Sequence, residues 1–332
     1  MTQRWQPPSD ELPGPSAKAR IAGRTVGLTM RPLASNLPPY GPGVWVGRTW
    51  IAGLMAAGGG VARGTRVERV DERTPGGARV VGEWVRARGA DAFGPVVLYV
   101  HGSGFVICST KTHRGLVSRL SERTGMPAFT SDYRLAPRHR FPKAADDVRA
   151  AWDHLLASGL TADQIVIAGD SAGGHLAVDL TLQLLREGAP TAAALALFSP
   201  LIDTSLTLAS ERDRQHRDPI ISAAGARRLI SRYTEGVDPQ HPRLALQLKD
   251  AMGFPPVLIQ AGGSEMFAAD AEYLHRELTA AGAHSRLQIW PGQAHVFQAL
   301  PRFSGEAEPA LAQAADFLAA HVSSRQIAKV AG

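Results

Sequence analysis

The chain has 332 residues, 44% of them hydrophobic, enough for one large globular, soluble domain with an attached subdomain rather than two equal halves. Its net charge of +6 comes almost wholly from arginines scattered along the sequence, with no RNA-binding aromatic motif and no zinc-ligand cluster, which speaks against a nucleic-acid-binding protein. A single cysteine, Cys108, excludes an intramolecular disulfide and suits a reducing compartment.

In chain order, MTQRWQPPSDELPGPS is polar and Pro-rich and lacks the basic region and apolar run of a secretory signal, so a cytoplasmic protein is expected. Residues 44–61, VWVGRTWIAGLMAAGGGV, are the most apolar early segment, but Arg48 and a glycine triplet argue against a membrane span. A helix is expected there, with Trp45, Ile51, Leu54 and Met55 packing on the domain; peripheral lipid contact is the other use of such a face. TRVERVD and ARVVGEWVRA alternate as antiparallel strands do, and PVVLYVHG is a continuous apolar run, as in a strand buried on both faces. Helix HRGLVSRLSERTG, strand PAFTSDYR, helix KAADDVRAAWDHLLASG, strand QIVIAGDS, helix GGHLAVDLTLQLLREG and strand AALALFSP follow. After residue 250 come strand PVLIQAGG, helix AADAEYLHRELTAAG, strand SRLQIWPG and helix ALAQAADFLAAHV. Several helices stop at glycine, as a left-handed C-cap requires. This alternation predicts an α/β fold with a mostly parallel central sheet flanked by helices, and ligands at the carboxyl ends of its strands.

Residues 205–250 interrupt the rhythm: they carry no strand signal and one clear amphipathic helix around Ala226 to Tyr233. With residues 1–65 this inserted piece is expected to form a helical cap over a core made of residues 66–204 and 251–332.

GDSAG, Gly169 to Gly173, has the G-x-S-x-G spacing on a strand-to-helix turn, where strained backbone lifts Ser171 above the sheet edge in front of a helix N-terminus. A serine hydroxyl needs a base to become nucleophilic. Of eleven histidines, His295 in WPGQAHVF follows the last strand and reaches the same edge. His175 is expected to pack inside its helix and His101 to be structural; His113, His139, His154, His216, His241, His275 and His284 read as surface or helix residues. HGSGF, His101 to Phe105, offers backbone N–H groups at a strand end, as an oxyanion hole needs. Two carboxylates follow PVLIQ: Glu265 on the loop, where an acid can orient a histidine, and Asp270 in the first turn of the next helix, where the helix dipole and free N–H groups explain it. Glu265→Gln is therefore expected to cripple turnover and Asp270→Asn to cost mainly stability.

HGSGF, SDYRLAPRHRFPKAADD, GDSAGG, SPLID, QAGGSEMF and GQAHVF, in this order from residue 101 to 297, resemble the motifs of the hormone-sensitive-lipase-like branch of the α/β-hydrolases, the capped bacterial carboxylesterases. The resemblance implies an α/β-hydrolase fold with a helical cap and a serine carboxylesterase for short- to medium-chain esters. It also implies a Ser171–Glu265–His295 triad with oxyanion donors at the N–H groups of Ser103, Gly104 and Ala172. Ser103 stands where the family usually has the middle of three glycines, Arg138 where it usually has an acid, and Ser264 where an Asp is common. No metal or organic cofactor is required. The implied partner is a small-molecule ester, with peripheral membrane contact and a homodimer left open. The same fold also serves lipases, amidases, acyltransferases and non-catalytic ligand-binding members. Phe105, Trp45 and Leu206 are expected to line the pocket, and Cys108 to be a packed thiol.

Overall fold

The computed structural model describes residues 41–91 and 93–322, together with 12, 14–16 and 31. Most of the expected N-terminal share of the cap, before residue 41, lies outside the described residues. The first described helix, α1 (Pro42–Gly58), is followed by strands β1 (Arg66–Arg73), β2 (Arg79–Arg86) and β3 (Val96–Val100). Next come α2 (Thr110–Thr124), β4 (Ala128–Ser131), α3 (Lys143–Ala157), β5 (Ile165–Asp170), α4 (Ala172–Arg186) and β6 (Leu195–Phe198). The interruption holds α5 (Thr207–Gln215) and α6 (Ala223–Thr234), after which β7 (Val257–Gly262), α7 (Ala268–Ala280), β8 (Ser285–Trp290) and α8 (Ala307–His321) complete the fold.

The strands form one eight-stranded sheet in the order β1-β2-β4-β3-β5-β6-β7-β8. β1 pairs antiparallel with β2, and β2 antiparallel with β4, through registers such as Val70 opposite Gly82 and Trp84 opposite Phe129. All later pairings are parallel. Strand order reverses direction between β3 and β5, and this switch point is where a doubly covered parallel sheet opens a crevice.

The period of two explains the layers. β3 sends Val96, Leu98 and Val100 into one apolar cluster with α3, α4 and α7, and Val97 and Tyr99 into another with α2 and α8. Trp152, Leu155, Leu176 and Leu274 fill the first layer and Leu116, Leu120, Leu311 and Leu318 the second, each worth about 1.5–3 kcal/mol when fully buried. α2 ends on Gly125 with φ of 69°, the left-handed cap expected from sequence.

Within residues 205–250 the structure adds a helix that sequence periodicity did not reveal. α5 is nine residues long, polar, and buries Ala209 alone, so it carries no 3.6-residue apolar stripe. The Asp203 carboxylate starts it by accepting the N–H groups of Thr207 and Leu208 at 2.7 and 3.1 Å. The segment is tied to the core by Arg243, which donates to Asp179 on α4 and Asp146 on α3 at 3.1 and 3.0 Å. Among the described residues no helix is long and apolar enough to cross a membrane.

Candidate active site

Ser171 joins β5 to α4 with φ of 51° and ψ of −121°, a left-handed backbone that a serine adopts only under constraint. Its N–H donates to Phe198 and its carbonyl accepts from Leu201, both at 3.0 Å, so the turn is clamped from β6. Gly173 is dictated by close approach: a Cβ there would stand 2.0 Å from the Val100 carbonyl oxygen.

The loops after β7 and β8 bring Glu265 and His295 to this turn. His295 Nε2 lies 3.0 Å from Ser171 Oγ, and its Nδ1 is hydrogen-bonded to Glu265 Oε2. Glu265 is fully buried, and its Oε1 accepts from Ser199 Oγ at 2.6 Å and from the Gly262 N–H at 2.5 Å. Ser199, with φ of 48°, also accepts the Val296 N–H at 3.0 Å, so one hydroxyl links the acid to the histidine loop. Burial alone would lower the pKa of His295; the anionic field of Glu265, its hydrogen bond, and the charges of Asp218 and Asp170 outweigh it and raise the value above 6.5.

Asp270 occupies the first turn of α7, as its sequence position implies, but its partners are not those of a helix-start charge. It is fully buried, and its Oδ1 accepts the N–H groups of Ile202 and Asp203 at 2.7 and 2.8 Å, on the loop after β6. Burial pushes its pKa up to about 7.

Beside the elbow, HGSGF forms a tight turn after β3 in which Gly104 and Phe105 both have positive φ. Among the described residues the N–H groups of Ser103, Gly104 and Ala172 donate to no protein acceptor. Tyr133 gives its hydroxyl proton to the His101 carbonyl at 2.6 Å, so Ser103 must be the donor in its 2.7 Å contact with Tyr133; Ser103 Oγ also accepts the Phe105 N–H at 2.8 Å. The hydroxyl that replaces the family's glycine is thus engaged in bracing the turn.

Asp170, the second residue of GDSAG, is the site residue that sequence reasoning passed over. Its buried carboxylate accepts from Tyr99 Oη at 2.7 Å and from the Gly102 N–H at 2.9 Å, with His113 Nε2 3.3 Å away. Burial opposes its ionisation, but His113, Tyr99 and the Gly102 N–H together hold its pKa below 3.8. Gly102 leaves room for this carboxylate, since a Cβ there would fall 2.0 Å from Asp170 Oδ2. His113, read as a surface or helix residue, lies on α2 and is buried in this network. The available signal was an acid closing an otherwise apolar strand run. His101 is buried against Tyr133, with a ring separation of 4.3 Å, and burial pushes it down to about 3; His175 packs on Phe105.

Above Ser171 and His295 lies a cavity of about 230 Å³ with predominantly apolar walls. Trp50, Ile51, Leu54 and Met55 of α1 form one wall, Ala226, Leu229 and Ile230 of α6 another. The three side chains expected to line it do not. Trp45 is 68% exposed; Phe105 is turned by its positive φ to stack on Tyr233 at 4.3 Å, and Leu206 is buried at the start of α5. Cys108, expected as a packed thiol, is a half-buried part of the cavity wall, its pKa pushed up to about 12 by burial.

A family profile described as alpha/beta hydrolase fold matches residues 97–299. An acetyl-hydrolase of Streptomyces hygroscopicus is 37% identical over 67% of this chain and 75% of its own length. The carboxylesterase/phospholipase LipF of Mycobacterium tuberculosis is 32% identical over 92% of this chain and 82% of its own. Among solved structures, an esterase from the bacterial hormone-sensitive lipase family is similar at a TM-score of 0.82 and 30% identity, covering 93% of this chain and 99% of that one. With a parallel sheet, an elbow serine and relatives of this kind, the chain belongs to the α/β-hydrolase fold family, in its hormone-sensitive-lipase-like branch of bacterial carboxylic ester hydrolases.

Proposed function

We propose that this chain hydrolyses short- to medium-chain carboxylic esters through an acyl-enzyme on Ser171, with His295 as general base and acid and Glu265 as the orienting carboxylate. The observation that carries this reading is the His295 imidazole held between Ser171 Oγ and Glu265 at the base of an apolar cavity. Glu265 accepts the hydrogen bond from Nδ1–H and fixes that tautomer, which leaves the Nε2 lone pair free to take the Ser171 proton as Oγ attacks the ester carbonyl. The carbonyl oxygen becomes an oxyanion beside the N–H groups of Ser103, Gly104 and Ala172, donors worth about a hundredfold or more in rate each. His295 then protonates the departing alcohol, and water attacks the acyl-enzyme by the same route. Removing the Oγ nucleophile in Ser171→Ala ends turnover.

On this reading α1 and residues 205–250 form the cap, since their side chains roof Ser171. The cavity is smaller than the ~300–1,000 Å³ of drug-sized ligand sites, which supports a modest acyl group. An assay of p-nitrophenyl esters from acetate to dodecanoate is expected to peak at short to medium chains in the wild type and to show only background with Ser171→Ala. Absence of wild-type hydrolysis across the series would sink the proposal. One observation favours an additional action at lipid interfaces: α1 exposes Trp45 and Val46 beside the cavity and carries no acidic residue in its first turn. Faster hydrolysis of an ester above its solubility limit than below it is the mark of that second reading.

A further inference from the structure

Glu265 leaves β7 on a short loop, residues 263–266, yet side chains of the inserted segment hold that loop's backbone. Arg212 of α5 donates through Nε to the Glu265 carbonyl at 3.0 Å and through Nη2 to the Gly263 carbonyl at 3.1 Å. Asp218, between α5 and α6, accepts the Met266 N–H on Oδ2 at 2.9 Å. Asp218 is itself fully fixed. It is buried, its Oδ1 accepts the N–H groups of Ile220 and Ile221 at 2.7 and 2.9 Å, and its own N–H donates to Asp213 at 3.0 Å. Arg31 completes the cluster, donating to the Asp218 carbonyl at 2.5 Å and to both Asp213 oxygens at 2.7 and 2.9 Å. A guanidinium across two carbonyls fixes the direction of the loop, and a buried carboxylate on the following N–H fixes its next peptide. Neither Arg212 nor Asp218 lines the cavity, whereas Ile220 and Ile221 do.

We propose that Arg212 and Asp218 are positioning residues for ester hydrolysis: by gripping residues 263–266 from the inserted segment, they set where the Glu265 carboxylate meets His295. The proposal rests on Glu265 being the triad acid. It makes the inserted segment part of the catalytic alignment as well as a cover for substrate. A ligand pressing on Ile220 or Ile221 acts on the same turn that holds Met266, so filling the cavity and aligning the acid are mechanically linked.

Charge supplies a second readout. The anionic groups whose fields act on His295 are Glu265 from the loop after β7, Asp218 from the inserted segment and Asp170 from the end of β5. Each favours the imidazolium when ionised; burial pushes Asp218 up to about 6, so above that pH its charge is present, and deleting it lowers the pH at which His295 becomes a competent base. The acid limb of kcat/KM then moves to lower pH.

The test compares Arg212→Gln, Arg212→Lys, Asp218→Asn and Glu265→Gln with wild type on a soluble p-nitrophenyl ester. Rates are expressed per active site by titration with a covalent phosphonate, so that unfolded protein is not counted. Arg212→Gln and Asp218→Asn are expected to lose about ten- to a hundredfold in kcat with KM nearly unchanged, the size of an ångström-scale misplacement. Arg212→Lys should recover part of the loss, and Asp218→Asn should move the acid limb down. Wild-type kcat per site with an unmoved limb overturns the proposal, as does a loss confined to KM. In either case a crippled Glu265→Gln leaves the triad reading standing, whereas an active Glu265→Gln overturns both together.

Discussion

Glu265 and Asp270 are five positions apart and both fully buried, but their surroundings give them different chemistry. Glu265 faces His295, Ser199 Oγ and the Gly262 N–H; Asp270 faces two backbone N–H groups through Oδ1, and its Oδ2 has no partner. Glu265→Gln keeps the shape, disturbs the tautomer of His295, and is expected to lower kcat by about 10²–10⁴. Asp270→Asn keeps an oxygen for both N–H groups and should leave kcat within about twofold. Its effect is on stability. The folded-state pKa of Asp270 is raised from 3.8 to about 7, so its contribution to stability is complete below pH 3.8 and lost as pH rises through 7. Asn has no such loss, so urea unfolding should show Asp270→Asn gaining about 2–4 kcal/mol on wild type between pH 4 and pH 8. A gap independent of pH would contradict this. The expectation that the substitution simply costs stability came from treating Asp270 as a charge on its own helix end. That Glu265 lies on a loop and Asp270 in a helix's first turn was legible, because strand end and helix start each leave a local pattern. The burial of Asp270 was not, because its partners, Ile202 and Asp203, lie in a loop far away in sequence. Ser199, Asp170 and His113 escaped for the same reason.

At the scale of elements, α6 and the HGSGF turn define the cavity's reach. Leu229 Cδ2 lies 2.6 Å from where a Gly104 Cβ would stand, so the leucine rests directly on the HGSGF turn. Leu229→Ala should lengthen the space beside the reacting carbonyl and raise kcat/KM for octanoate relative to butyrate esters by about tenfold, the scale set by a few methylenes in an apolar pocket. An unchanged ratio would place the acyl chain elsewhere. The main strands and helices were readable because each carries its own period, two or 3.6, and a glycine or turn to end it. α5 was not, since nine polar residues with Ala209 as their one buried member leave no stripe. α1 was recognised as a sticky helix, yet rotation about its axis decides which aromatic is used: Trp50 faces the cavity and Trp45 solvent. A fully apolar-rich segment does not specify that rotation.

Over the whole molecule, Ser171, Glu265 and His295 come from three loops separated by up to 124 positions, and only the strand order β5-β6-β7-β8 brings them to one edge. Six motifs in a familiar order carried that topology in the sequence. What they could not carry is how the inserted segment sits on the core, because its grips are long-range polar contacts of no local pattern: Arg243 on Asp179 and Asp146, and Arg212 and Asp218 on the acid loop. The central claim is covalent chemistry at Ser171. Rapid acid quench of the enzyme turning over p-nitrophenyl butyrate, followed by peptide mass spectrometry, tests it directly. A butyryl adduct on the peptide containing Ser171, absent from Ser171→Ala, is the predicted result; hydrolysis proceeding in Ser171→Ala, or an adduct found only on another residue, would contradict it.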